Sequence, residues 1–540
     1  DNLENYANSQ PNSPQAPDAL LKLGMCHQRL ATLVAVPAER AKVLQNARGT
    51  YDKLLQQFGN HATAPQAIME RARCTVQMGD LNGGMNELRR FTQDPLKSNP
   101  AAPMGVLQLA GYLRSQNKAQ EAADLIAQCR QQHEANLTKD PARSAWVPLL
   151  QYHQAVALQE AGKLPDARQI LDGVIKQYPN APEALEAIVH TGQCLRDESA
   201  HKLEDARKRL ATPNLKPEDQ AAAQKDYDAA LKGLQDAVGY LEVEAEKLKP
   251  KQPPVEARAR MLYEAAWTGR RVAELDVTAA RSKIQQEQWQ KLRDEAAKKT
   301  PPGKPVPTIP MPEIAITTVP VQPSEQKVQG LYKAILEAYP DLPLGIDARF
   351  ELAELYSDRA EHDTAIKLIK DALDKEPAGD LAERIRLRYG VSLAAKGDAK
   401  AALAQFQAVI SNPKSPWLAQ ANYRAGECCL QMDDAQGAVK YLVLFRDQQP
   451  FQNVPGVTDR ALLRLGHAFA NLQKWEESRQ AHERASGIGN SPWVNDARYG
   501  MGWALQNMKR FDDAVNVYSQ VTASTATEIA AKAQLQIGLC

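Results

Sequence analysis

The chain has 540 residues, too many for one ordinary domain, with only 6% aromatic and 24% charged residues. Its formal net charge of +1 removes the electrostatic reason to expect nucleic acid or an anionic membrane surface as a partner. Seven scattered cysteines with no CxxC spacing exclude a disulfide framework and a zinc site, and no apolar run approaches the ~18 residues of a bilayer span.

Along residues 1–196, small residues recur at one place in successive helix-like segments: Gly24, Ala72, Ala110, Ala155 and Gly192. Gly162, Leu164, Ala167, Leu171, Val174 and Pro179 complete the unit around Ala155. Residues 197–248 are charged, poor in Gly and rich in Ala, Lys, Glu and Leu; they read as a helical insertion of extra or extended helix, most simply a projecting antiparallel hairpin turning at Pro213–Pro217. Residues 249–299 carry another small position, Ala266, and then an extended helix. From Thr300 to Ser324 there are eight prolines, so 300–323 reads as extended, polyproline-like chain. Two readings of it stay open: a solvated linker between two helices, or an arm whose Ile314–Val319 stretch docks on a partner.

The regular array runs over 324–540. Its small position recurs at Ala353, Gly390, Gly426, Gly466, Gly502 and Gly538, spaced 36 to 40 residues apart. A small residue there lets the first helix of each unit approach the second, while large apolar residues fill the gap to the next unit. Ser415-Pro416-Trp417 and Ser491-Pro492-Trp493 stand nine residues before the small position, as does Ser144-Ala145-Trp146. Ser as N-cap and Pro at the first helical position predict helix starts there. Cys26, Cys74, Cys194, Cys428 and Cys540 all lie two residues after the small position, which predicts one semi-buried packing site rather than chemistry.

This pattern of small residues, turn and closing Pro resembles the tetratricopeptide repeat family over most of the chain. The resemblance implies an all-α fold: an α-solenoid of about 11–12 helix-turn-helix repeats in a right-handed superhelix, with two insertions. It also implies a concave surface lined by each repeat's first helix, the A helix. There it places Phe350, Tyr423, Arg460, His467, Asn471, Tyr499, Trp503 and Asn507 as partner-binding candidates, with Glu354, Glu427 and Asp496 beside them. The carboxylate clamp of chaperone-binding members needs Lys and Asn where this chain has Phe350, Leu387, Tyr423, Leu463 and Tyr499, and Glu354, Val391, Glu427, His467 and Trp503. The clamp is missing. Spacers such as Tyr178-Pro179-Asn180-Ala181-Pro182 are similar to those of bacterial cell-envelope tetratricopeptide proteins, which implies a periplasmic or envelope location; the unpaired cysteines point instead to a reducing compartment.

No Walker A loop, GxGxxG, GxSxG elbow or HExxH appears, and the nine histidines are dispersed. The chain therefore reads as no enzyme, with no catalytic residue, cofactor or metal expected. Its expected role is a non-catalytic protein-interaction scaffold, a subunit of a larger assembly, with other proteins as partners and no small-molecule ligand. The terminal helix with Leu535, Ile537 and Leu539 lacks a second helix to cap it, so either the chain continues beyond Cys540 or another subunit covers this end. Two alternatives stand beside the scaffold role: a recruiting or regulatory arm of an enzyme whose catalytic domain lies outside this segment, and an envelope glycan-binding module using the groove tryptophans.

Overall fold

A computed structural model describes residues 2–10, 13–249, 255–301, 304–523 and 528–540. Residues 250–254 of the 249–299 segment, and 302 and 303 of the Pro-rich one, lie outside the described residues. Among the described residues every regular element is a helix, and successive helices pair as hairpins. The chain is an all-α solenoid of repeats. It divides into two compact units, Asp1–Thr268 and Gly269–Cys540.

Each regular repeat pairs an A helix carrying the small position with a B helix that places a large residue against it, sixteen positions later. In the hairpin of Gly379–Ala395 and Ala399–Ile410, a Cβ added to Gly390 would lie 2.5 Å from the Phe406 ring. Gly426 meets Leu442, Gly466 meets His482 and Gly502 meets Tyr518 in the same way. Where the small residue is Ala, the opposed position is aliphatic and buried: Leu88 for Ala72, Ile126 for Ala110, Leu171 for Ala155 and Ile369 for Ala353. Every ring in this position thus stands opposite a Gly, although Gly426 faces the aliphatic Leu442. Gly390→Ala is expected to cost about 1–3 kcal/mol through overpacking against Phe406, outweighing the ~1 kcal/mol of helix propensity that Ala brings. Adding Phe406→Leu recreates the Ala155–Leu171 pairing and should recover stability; a denaturation double-mutant cycle without coupling between the two sites would refute this account.

The turn between the helices is also set by the repeat. Seven residues after the small position the backbone enters the left-handed region in eight hairpins, at Gly79, Asn117, Gly162, Ala360, Gly397, Asp433, Gln473 and Lys509. The next residue's N–H then reaches back to the A helix, as Asp398 N–H does to Leu393 O at 3.0 Å, in a Schellman closure. Asp80, Asp398 and Asp434 follow at once as N-caps, their carboxylates accepting from Gly83, Ala401 and Gly437 N–H.

Three expectations are corrected. The first is the boundary at 196/197, which falls inside one continuous helix, Pro182–Leu210. This A helix is extended beyond the repeat and pairs along Pro217–Leu248, with Gly192 under Leu241 and Arg209 bridging Asp226 at 2.6 Å near the turn. The segment is therefore a lengthened repeat hairpin rather than an inserted one.

The second concerns the Pro-rich segment: most of its residues are exposed, but it does not loop out freely, because it is held on its own unit at several points. Trp289 Nε1 donates to Ile309 O and Gln285 Nε2 to Pro312 O, each at 2.9 Å. Both donors lie on the helix Glu256–Lys299. Ile314 and Val319 are buried. Arg359, itself buried, donates to Val319 O at 2.7 Å, Pro320 O at 3.1 Å and Ile316 O at 3.3 Å, while pairing with the buried carboxylate of Glu325. Proline removes the N–H groups, so the segment presents carbonyls, and the long side chains of its own unit supply the donors.

The third concerns helix starts: the helices after Ser-Pro-Trp begin at Leu418 and Val494, two residues beyond the prolines. The serines form a turn before the helix. Ser415 Oγ accepts from Trp417 N–H at 3.1 Å and donates to Glu383 at 2.6 Å; Ser491 Oγ accepts from Trp493 N–H at 3.2 Å and donates to Asp459 at 2.7 Å. Glu383 and Asp459 hold the same place in their repeats, seven residues before the small position. The motif ties each repeat to the one before it.

Candidate functional site

In the second unit five A helices follow one another: Pro343–Asp358, Gly379–Ala395, Leu418–Gln431, Thr458–Asn471 and Val494–Asn507. The small position faces the B helix, so other positions face outward and form columns across the repeats. Six residues before it stand Asp347, Arg384, Gln420, Arg460 and Asp496. Two residues before it stand Glu351, Arg388, Arg424, Arg464 and Gly500. Acidic residues head both columns; arginines occupy the three middle repeats of the second column, and Arg384 and Arg460 flank Gln420 in the first.

These charges interlock between neighbouring helices. Arg270 contacts Glu351 at 2.5 Å, Asp358 at 3.4 Å and Glu354 at 3.7 Å. Burial pushes the Glu351 carboxyl above the ordinary carboxylate range, against the pull of Arg270. Arg388 grips Glu354 with two N–H groups, one of them Nη2 at 2.5 Å. Glu427 receives Arg424 at 2.9 Å, Arg464 at 3.3 Å and the Tyr423 hydroxyl at 2.7 Å. Burial, with Glu427 beside it, raises that hydroxyl to about 12. Three arginines also lie over rings: Arg384 over Phe350 at 4.8 Å, Arg424 over Tyr423 at 5.3 Å and Arg460 over Trp493 at 5.7 Å. Between the first three helices lies a pocket of about 310 Å³, lined by Phe350, Glu354, Arg384, Leu387, Arg388, Val391, Trp417, Gln420 and Arg424.

Of the residues singled out from sequence, Phe350 lines this pocket and is otherwise buried, and Tyr423 is buried too. His467 is half-buried, its ring tilted against that of His482 with centroids 5.3 Å apart. Tyr499 is half-buried against Tyr518 at 5.6 Å. Arg460, Asn471, Trp503 and Asn507 are exposed, Trp503 to 40%. Asn507 Nδ2 donates to Trp503 O at 2.8 Å, a bond within one helix turn. Sequence reasoning missed Arg384, Arg388, Trp417 and Arg424. A signal was present in the recurrence of Arg388, Arg424 and Arg464 two residues before the small position.

The cysteines follow packing, with one correction. Cys74, Cys194 and Cys428 are buried and Cys540 is half-buried, in keeping with the shared position, whereas Cys26 is exposed. Burial pushes the adjacent Cys428 and Cys429 thiols up to about 11, away from the thiolate form. Among the described residues no group of His, Cys, Asp and Glu is placed to hold a metal ion, and no helix is long and apolar enough to cross a membrane.

Tetratricopeptide repeat family models match residues 18–61, 150–181 and 496–524, and a second such model matches 350–416. No curated protein matches the chain. Among solved structures it is similar to yeast Tom70, at 12% identity over 96% of this chain and 95% of that one, with a TM-score of 0.31. It is also similar to YrrB, described as a TPR protein with an unusual peptide-binding site, at 16% identity over 38% of this chain and 96% of that one, TM-score 0.31. A tetratricopeptide repeat protein from Parabacteroides merdae matches at 12% identity over 66% of this chain and 98% of its own, TM-score 0.33. Three of these matched stretches, 150–181, 350–416 and 496–524, fall on hairpins whose small-against-large packing and left-handed turns recur in register, so the chain carries tetratricopeptide repeats.

Proposed function

We propose that the chain is a non-catalytic scaffold subunit of a larger assembly and binds partner proteins through the A-helix face of Gly269–Cys540. Tetratricopeptide repeats mediate protein–protein interactions, and the observation that carries the reading here is the pocket between the A helices. Its walls are Phe350, Leu387, Val391 and Trp417, and its rim is arginine. Buried apolar floors rimmed by Arg and Trp are the composition of binding hot spots, and the ion pairs around this one hold the rim in place before any partner arrives. Val391 is half-buried at the pocket wall, so Val391→Arg fills the pocket without opening the core. Cross-linking mass spectrometry on the full chain in its native source should place partner cross-links on the A helices. Those cross-links should vanish in the Val391→Arg chain while its helical content stays unchanged. An identical set of cross-linked partners in both chains would end this reading.

A further inference from the structure

On the reading that this face binds protein, we propose that its occupant is a short, extended, acidic segment of a partner. An apolar side chain of that segment sits between Phe350 and Trp417, and its carboxylates lie on the arginines around them.

Charge decides the sign of the partner. Three arginines and one glutamate line the pocket, and the glutamate, Glu354, is already gripped by Arg388. Arg384 and Arg460 hold the same place in their repeats, and both keep donors to spare. The nearest carboxylate to Arg384 is Glu351 at 3.6 Å, beyond hydrogen-bond distance, and Arg460 makes no ion pair among the described residues. Each lies over an aromatic ring and stays partly open to solvent, so its N–H groups are within reach of an incoming carboxylate. The pocket wall is equally prepared, because Trp417 Nε1 donates to Asp380 at 2.6 Å and so fixes the indole.

Repeat geometry decides the length. Neighbouring helices pack ~10 Å apart, and an extended chain rises ~3.3 Å per residue. Acidic side chains about three residues apart therefore meet successive A helices, and about six residues span from Arg384 to Arg460. At the position of these two arginines the flanking repeats carry Asp347 and Asp496, so a longer acidic run would meet like charge at both ends.

The test is fluorescence anisotropy on the full chain. The probe is a labelled peptide of about nine residues with a central Leu and Asp or Glu at every third position. Matched peptides carry Asn and Gln, or Lys, in place of the acids. The acidic peptide should bind, weaken steeply with added salt, and lose about tenfold in affinity for each of Arg384→Gln and Arg460→Gln. The amide and lysine peptides should not bind. Equal binding of the amide peptide, no binding of the acidic one, or unchanged binding by the double variant would overturn the proposal. So would displacement of the acidic peptide by an oligonucleotide of equal charge at lower concentration, which would assign the face to phosphates. If Val391→Arg abolishes partner cross-links while the acidic peptide fails to bind, the face still binds protein and only the acidic identity falls.

Discussion

Arg359→Ala is expected to destabilise the second unit by about 3–5 kcal/mol, the usual cost of leaving one partner of a buried ion pair alone. The guanidinium and the Glu325 carboxylate are both almost wholly inaccessible to water, and the same guanidinium is the donor for the carbonyls of Ile316, Val319 and Pro320. Truncation leaves a buried carboxylate and the buried Val319 carbonyl without that donor, and neither regains water while Val319 stays packed. The cheapest relief is release of the Pro-rich segment. Hydrogen exchange and limited proteolysis over residues 304–322 should therefore rise more than in the neighbouring repeats. Arg359→Met combined with Glu325→Leu removes both charges and should recover much of the loss. Should the double variant prove no more stable than Arg359→Met alone, the carboxylate is not the source of the penalty.

Acidification is expected to act on one repeat in particular. His482 stands where other repeats place Phe406, Leu442 or Tyr518, with the backbones of Gly466 and Gly500 against its ring. It is 1% exposed, and its Nδ1 has no hydrogen-bond partner. Burial lowers its pKa from 6.5 to about 3, with His467 adding to the shift; burial and then Arg464 lower His467 from 6.5 to about 4. Both folded values are depressed, so the unfolded chain takes up the protons first. The stability from keeping these rings neutral is present above pH 6.5 and is lost as pH falls from there towards about 4 and 3. At pH 5 each histidine costs about 2 kcal/mol relative to neutral pH. His482→Phe puts into this position the ring that Phe406 already packs against Gly390, and should remove about half of that acid sensitivity. Urea denaturation at pH 7 and pH 5, followed by tryptophan fluorescence, measures it. The same loss between the two pH values in both chains would count against the buried histidine as its source.

What the sequence by itself determined is the part of the structure that depends on neighbours in a period. The small residue at Ala353, Gly390, Gly426, Gly466 and Gly502 is legible because a Cβ or its absence has to match a residue sixteen positions on, a constraint repeated in every regular hairpin of this array. The left-handed turn is half legible: Gly79, Gly162 and Gly397 announce it, while Ala360, Asp433, Gln473 and Lys509 adopt the same backbone without the glycine that signals it. The candidate face is legible only in outline. Its column of Arg388, Arg424 and Arg464 is visible in register, but whether an arginine is spent on a neighbour or left open depends on which carboxylate the adjacent helix brings within reach.

The tertiary structure alone decided three things. It placed the Pro-rich segment on its own unit, since the donors that satisfy its carbonyls come from Gln285, Trp289 and Arg359, far from it in the chain. It turned Pro182–Leu210 and Pro217–Leu248 into one lengthened repeat, because the partner of Gly192 is Leu241 rather than a residue one hairpin away. And it made His482 a core residue, enclosed by two glycine backbones that a linear pattern does not bring together. In the first two cases the deciding contact joins residues outside the repeat period, and in the third the in-register pair Gly466 and His482 is closed over by Gly500 from the next helix. Periodicity records packing between neighbours in a solenoid, whereas the satisfaction of a particular carbonyl, carboxylate or imidazole is settled only where the chain folds back on itself.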